Sequence, residues 1–263
     1  MQRVAHLVLD DPPPILDDPV AARLVGPGAE AHVRERAERY RRQGARALRA
    51  HLVVRSRFAE DAFTAAVARG TDQLVVLGAG LDSFACRQPP WAAAADIVEV
   101  DHPATQAAKL RRLAAAGITL PGNVALVPAD LVMEDLRTAL ERAGLDPRGP
   151  ITAACLGVLM YLPPAVSDAV MRAVAAWAPG SELVATFAHP ASPIRPDRVA
   201  RAAEAAGEAW LDRPGPDAMA HRLRAAGFGD VRVVPVQEIA DRYFAGRVDL
   251  PPPRRPIIAI ARS

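Results

Sequence analysis

From residue 73 onward, short apolar runs alternate with longer stretches of helical periodicity. Gln73–Leu77 reads as a strand without a polar face, and Gly78-Ala79-Gly80 follows it directly. Asp96–Val100, Val124–Pro128, Ile151–Leu156, Glu182–Phe187, Val231–Val236 and Pro256–Ala261 read as further strands. Helices are predicted between them at Pro103–Ala116, Met133–Ala143, Pro164–Ala176 and Pro216–Ala226. Asp101 and Pro103 supply a cap and a first-turn proline for the first of these, and Gly227 ends the last. Ahead of this rhythm, residues 11–20 are rich in proline and acid and read as extended. Helical patterns follow over Glu30–Val54 and Phe58–Ala68. The pattern predicts a Rossmann-like α/β fold: a seven-stranded, mostly parallel sheet with helices on both faces, plus helical cap segments. One domain over 1–263 is expected, with cap helices in 1–69 and a lid-like insert at 190–215, where four prolines break the rhythm around a short helix near Val199–Ala209.

The strand ends carry the chemistry. Gly78 and Gly80 allow close backbone approach to a ligand. Asp101, at the end of the next strand, is placed to accept hydrogen bonds from ribose hydroxyls. After Gly80 come Leu81, Asp82 and Ser83, so the third glycine of a dinucleotide fingerprint is missing. That points away from NAD and towards S-adenosylmethionine, which has no pyrophosphate to seat on a helix N-terminus. Asp130 ends a third strand in the same row, as an adenine-side residue or as a helix cap. Arg55 and Arg57 could clamp a carboxylate or could be surface charges. His102 reads as a substrate-facing residue or a solvated helix start, and Tyr161, His189, Trp210 and Tyr243 as pocket or packing residues.

Composition narrows the classes. Half of the 263 residues are apolar, ample for a core, yet no apolar run is long enough for a membrane span. The first apolar stretch is too short for a secretion signal, so a cytoplasmic protein is expected. Thirty-two bases and 30 acids are mixed along the chain, which leaves no footprint for nucleic acid. The basic residues are arginines apart from Lys109. Cys86 and Cys155 make neither a disulfide framework nor a metal site.

With these residues in place, the chain resembles the leucine carboxyl methyltransferase-like family, from about Leu16 to its end and most strongly over 54–162. VRSRFAEDAF is similar to the family's arginine segment, LGAGLDSFACR to its glycine motif, EVDHPATQAAK to its ribose motif and VPADL to its adenine-side Asp-Leu. RYFAGR resembles an actinobacterial branch linked to secondary metabolism. The resemblance implies a class I methyltransferase fold in which Arg55 holds the cofactor carboxylate and Gly78, Ala79 and Gly80 line the methionine segment. Asp101 and His102 then lie at the ribose, and Asp130 and Leu131 at the adenine. Leu156 stands where many members have glutamate, which leaves the cofactor's amino group to backbone carbonyls near Gly78 or Cys155. The expected activity is O-methylation of a small-molecule carboxylate or acidic hydroxyl, with no dedicated catalytic base visible and with Tyr161, His189 and Tyr243 as acceptor contacts. The alternatives are a non-methylating enzyme that keeps S-adenosylmethionine as a bound cation, such as a cyclase, and a non-catalytic binding subunit.

Overall fold

The computed structural model describes residues 1–190, 198–205 and 207–263. Its centre is the expected seven-stranded sheet, built from β1 (Gln73–Leu77), β2 (Asp96–Asp101), β3 (Val124–Pro128), β4 (Ile151–Cys155), β5 (Glu182–Thr186), β6 (Asp230–Val233) and β7 (Ile258–Arg262). The strand order is 3-2-1-4-5-7-6. β1 to β5 run parallel, and β7 is antiparallel to both β5 and β6. β1, β4 and β5 are buried at every position, which explains their unbroken apolar runs. Edge strand β6 alternates between exposed and half-buried positions. The chain order reverses between β1 and β4, and ligands of open sheets bind beyond the carboxyl ends at such a switch point.

Helices cover both faces. Val75, Leu77, Val98 and Val100 pack with α7 (Leu136–Arg142), α8 (Pro164–Ala175) and α10 (Gly215–Ala225). Leu74, Val76 and Ile97 pack with α5 (Gln43–Ala68) and α11 (Val236–Tyr243). On that second face Glu99 forms a buried ion pair with Lys109 of α6 (Pro103–Ala115). Burial raises the Glu99 carboxyl to about 7, against the pull of the Lys109 ammonium.

The N-terminal region differs from the pattern-based expectation. α1 (Gln2–Leu9), α2 (Val20–Val25), α3 (Ala29–Glu35) and α4 (Ala37–Arg41) precede one unbroken α5. The break expected near residue 55 is absent. Arg55-Ser56-Arg57 interrupts the apolar periodicity but contains no helix breaker, and Ser56 is buried. The breaks fall instead at Arg36 and Arg42, whose backbones leave the helical region. α1 is pinned on α5 by Arg49, buried, which donates to both Asp10 carboxylate oxygens at 2.7 and 2.6 Å and to the Tyr40 carbonyl at 3.0 Å. One strand end and one helix start also shift. β6 stops at Val233 rather than Val236, because Pro235 cannot donate to a ladder and instead starts α11. The helix expected from Met133 begins at Leu136, capped by Asp135, whose side chain accepts the Thr138 N–H at 3.0 Å.

The insert expected at 190–215 lies partly outside the described residues. Its described part holds α9 (Arg198–Ala205) and a strand-free arm that docks on the turn beyond β4, where Leu211 N–H donates to the Met160 carbonyl at 2.7 Å. No helix among the described residues is long and apolar enough to cross a membrane.

Candidate cofactor and acceptor site

The turn after β1 is shaped by contact with the turn after β4. Gly78 has φ +63° and Gly80 φ +52°, the left-handed region that favours glycine. The Gly78 and Ala79 N–H groups donate to the Val100 carbonyl at 2.8 and 3.3 Å, folding the turn towards β2. A Cβ on Gly78 would lie 2.2 Å from Val158 Cγ2, so the two turns are in direct contact.

The ends of β2 and β3 bring up the acids. Asp101 is half-buried. One of its carboxylate oxygens accepts the Gly80 N–H and the other accepts the His102 N–H at 2.7 Å. Each oxygen keeps a further lone pair for a ligand hydroxyl. Asp101 is not the cap of α6. That role belongs to exposed His102, whose ring accepts the Ala104 N–H at 3.2 Å. Ala129 N–H donates to the Asp101 carbonyl at 2.8 Å, which sets Asp130 and Leu131, both half-buried, in the neighbouring row. Asp130 caps its own turn through the Val132 N–H at 2.9 Å rather than a helix.

Arg55 closes the site from α5. A Cβ on Gly157 (φ +76°) would lie 2.6 Å from Arg55 Nη1, so the guanidinium rests on the backbone just beyond β4. Arg55 makes no hydrogen bond or ion pair among the described residues, and its Nε is buried without a partner. Burial lowers its pKa to about 10, helped by the charge of Arg3 and opposed by Asp82 and Tyr161. Such a cation is costly without an anion, whereas a carboxylate would satisfy its fork. Leu156 is half-buried and packs against the α5-side apolar cluster, offering no charge. Tyr161, 36% exposed, lies in the short turn Leu159–Tyr161 on the same edge.

The two other expected acceptor contacts have protein partners of their own. His189 lies beyond β5, where its Nε2 pairs with the Pro256 carbonyl at 2.6 Å and its ring packs 5.7 Å from Phe187. Tyr243 is at the end of α11, in a separate groove of about 510 Å³ with Pro12, Ile15, Arg57 and Arg242. Its hydroxyl donates to Asp61 at 2.8 Å, and burial with that carboxylate raises its pKa. Arg57 also pairs with Asp61, at 2.9 Å. Arg55 and Arg57 therefore leave α5 on different sides, a separation that two-residue spacing on a helix implies.

Several contributors escaped pattern reading. Arg3 of α1 reaches Asp18 and Asp82, each at 3.2 Å, Ser56 at 3.0 Å and Ser83 at 3.3 Å, tying α1 to the loop after the glycine turn. Gly157 and Val158 shape the site by packing, and Gly157 N–H donates to Thr186 Oγ1 at 2.7 Å. The Leu-Gly-Val segment after β4 was a visible signal for a second close turn.

The profile of the family described as leucine carboxyl methyltransferase matches residues 1–175. The chain belongs to that family. A Mycolicibacterium smegmatis protein named as a candidate S-adenosyl-L-methionine-dependent methyltransferase is 30% identical over 259 residues, covering 94% of this chain and 85% of that protein. A similarly named Mycobacterium marinum protein is 37% identical over 188 residues, 67% of this chain and 60% of its own length. Among solved structures, a candidate O-methyltransferase from Nostoc punctiforme aligns with TM-score 0.51 at 10% identity, covering 82% of this chain and 56% of that one, a likeness of fold. This family member is an S-adenosyl-L-methionine-dependent methyltransferase with the class I fold. Its residues fit the cofactor: the Arg55 guanidinium, its Nε buried without a partner, suits a carboxylate, and Asp101 keeps lone pairs for ribose hydroxyls beside the Gly78–Gly80 turn.

Proposed function

We propose that this methyltransferase transfers a methyl group to an oxygen atom of a small-molecule acceptor. The observation that carries the reading is Arg55, half-buried and without an anion, set against Gly157 beyond β4, with the Gly78–Gly80 turn and Asp101 at the neighbouring strand ends of the switch point. Arg55 would hold the cofactor's carboxylate, Gly78–Gly80 its methionine segment, Asp101 its ribose, and Asp130 with Leu131 its adenine. When bound, S-adenosylmethionine supplies an electrophilic methyl group on a sulfonium. The protein's part is alignment of the acceptor oxygen and exclusion of water.

The acceptor side fits a small molecule. Tyr161 is partly exposed and near enough to act on the Arg55 charge, and the 207–213 arm is fastened over the Met160 turn. Trp210 in that arm has a buried indole N–H without a partner, a donor available to an acceptor. An acceptor from secondary metabolism is consistent with the RYFAGR segment.

The test is incubation with methyl-labelled S-adenosylmethionine and a dialysable metabolite fraction, or a panel of phenols, enols and carboxylic acids. Label should enter an organic-extractable ether or ester. Label confined to protein would contradict the reading, and so would acceptor conversion without loss of the cofactor's methyl.

A further inference from the structure

The central part of α5 is buried on nearly every side except one stripe. Between residues 48 and 56, positions 49, 50, 53, 54 and 56 are buried, while Leu48, His51, Leu52 and Arg55 are half open. These four follow the i, i+3, i+4, i+7 spacing of a single helix face. Arg55 shows where that face looks, because its guanidinium rests against Gly157 at the carboxyl edge of the sheet. His51 lies one helical turn before it, about 6 Å along the axis.

The His51 ring has no hydrogen bond or ion pair among the described residues. His6, His32, His102 and His189 each have a ring-nitrogen partner. His221 has none but is exposed on α10, where water serves it. Burial, with the Arg55 charge nearby, pushes the His51 pKa down to about 3, so its ring is neutral at physiological pH. Arg55 is the charge acting on it. Arg3 of α1, Asp82 of the glycine-turn loop and Tyr161 beyond β4 act in turn on Arg55.

We infer that His51 takes the proton of the methyl acceptor, and that the acceptor is therefore a neutral hydroxyl, a phenol or enol, rather than a carboxylate. The inference rests on the methyl-transfer reading above. A neutral imidazole accepts a hydrogen bond from a hydroxyl, whereas a carboxylate has no proton to give and needs no base. In the step, the acceptor oxygen bonds to the methyl carbon while the sulfur–methyl bond breaks and leaves its electron pair on sulfur. The acceptor proton moves to the free ring nitrogen of His51 and leaves to solvent after product departs. A cofactor carboxylate on Arg55 offsets the charge that, after burial, opposes imidazolium formation, so His51 is a better proton acceptor when the cofactor site is filled.

Histidine-ring ¹⁵N NMR of the protein loaded with S-adenosylhomocysteine tests this, with phenol and benzoate as probes that share a ring and differ in head group. Phenol should shift the His51 ring nitrogen saturably and benzoate should not. The His51 titration midpoint should rise on loading. His51→Gln should weaken phenol binding about tenfold, the loss of roughly one hydrogen bond, with S-adenosylhomocysteine affinity within twofold of wild type. Absence of a phenol-dependent shift at His51, or an equal response to benzoate, would overturn the proposal. Failure of wild type to bind S-adenosylhomocysteine would instead remove the reading on which it stands.

Discussion

Gly157→Ala isolates the contact that joins the fold to the cofactor. The added Cβ would lie 2.6 Å from Arg55 Nη1 and 3.1 Å from both Cζ and Nη2. The far end of a flexible side chain gives way before backbone does, so the guanidinium should move. The left-handed backbone at φ +76° adds about 1–2 kcal/mol of strain for alanine. Melting should therefore fall by a few degrees, given roughly 2–4 °C per kcal/mol in a chain of this size. Loss of a charge-assisted carboxylate contact is worth about 1.5–3 kcal/mol, or roughly 10- to 150-fold in Kd. Calorimetry with two ligands separates the effects: S-adenosylhomocysteine carries the carboxylate, and 5′-methylthioadenosine lacks it. Only the first should weaken, and adding Gly157→Ala to Arg55→Ala should weaken it little further, since both remove one interaction. Equal weakening of both ligands would refute the assignment of Arg55 to the carboxylate, as would unchanged S-adenosylhomocysteine affinity.

Three other outcomes follow. Asp101→Ala should weaken S-adenosylmethionine binding by about 2–3 kcal/mol in calorimetry with the fold retained, and NAD should not bind wild type; normal cofactor affinity in the variant would leave Asp101 as a turn cap alone. Asp10→Ala strands the buried Arg49 guanidinium, so chemical denaturation should show a loss of about 3–5 kcal/mol, and a loss below about 1 kcal/mol would mean water reaches that pair. His51 has a folded pKa near 3 against about 6.5 unfolded, so the unfolded chain binds the extra proton and stability falls as pH drops through that window. Between pH 7 and 4.5 the wild type should lose up to about 2–3 kcal/mol more than His51→Gln, and parallel pH curves for the two would contradict the neutral, half-buried ring.

The sheet was legible because its central strands are buried on both faces and lie between clear turn signals. Gly78, Asp101 and Asp130 could be placed in one row because strand ends of a parallel sheet share an edge. What stayed hidden depends on contacts distant in sequence. The role of Gly157 is visible only once α5 sets Arg55 against it. Arg3 joins residues up to 80 positions away, and nothing in its local pattern marks it. His51 sits in an alanine- and arginine-rich helix where one half-open stripe emerges only from packing. Tyr243 was suggested as an acceptor wall by its position after a strand, and what the pattern did not show is that the helix from Val236 sets its hydroxyl on Asp61.

A crystal structure with S-adenosylhomocysteine would show whether the row of strand ends and Arg55 hold the cofactor. Its carboxylate should lie in the fork of Arg55, its thioether chain along Gly78–Gly80, its ribose hydroxyls on Asp101 and its adenine beside Asp130 and Leu131. A ligand seated elsewhere, with Arg55 still lacking an anion, would contradict it.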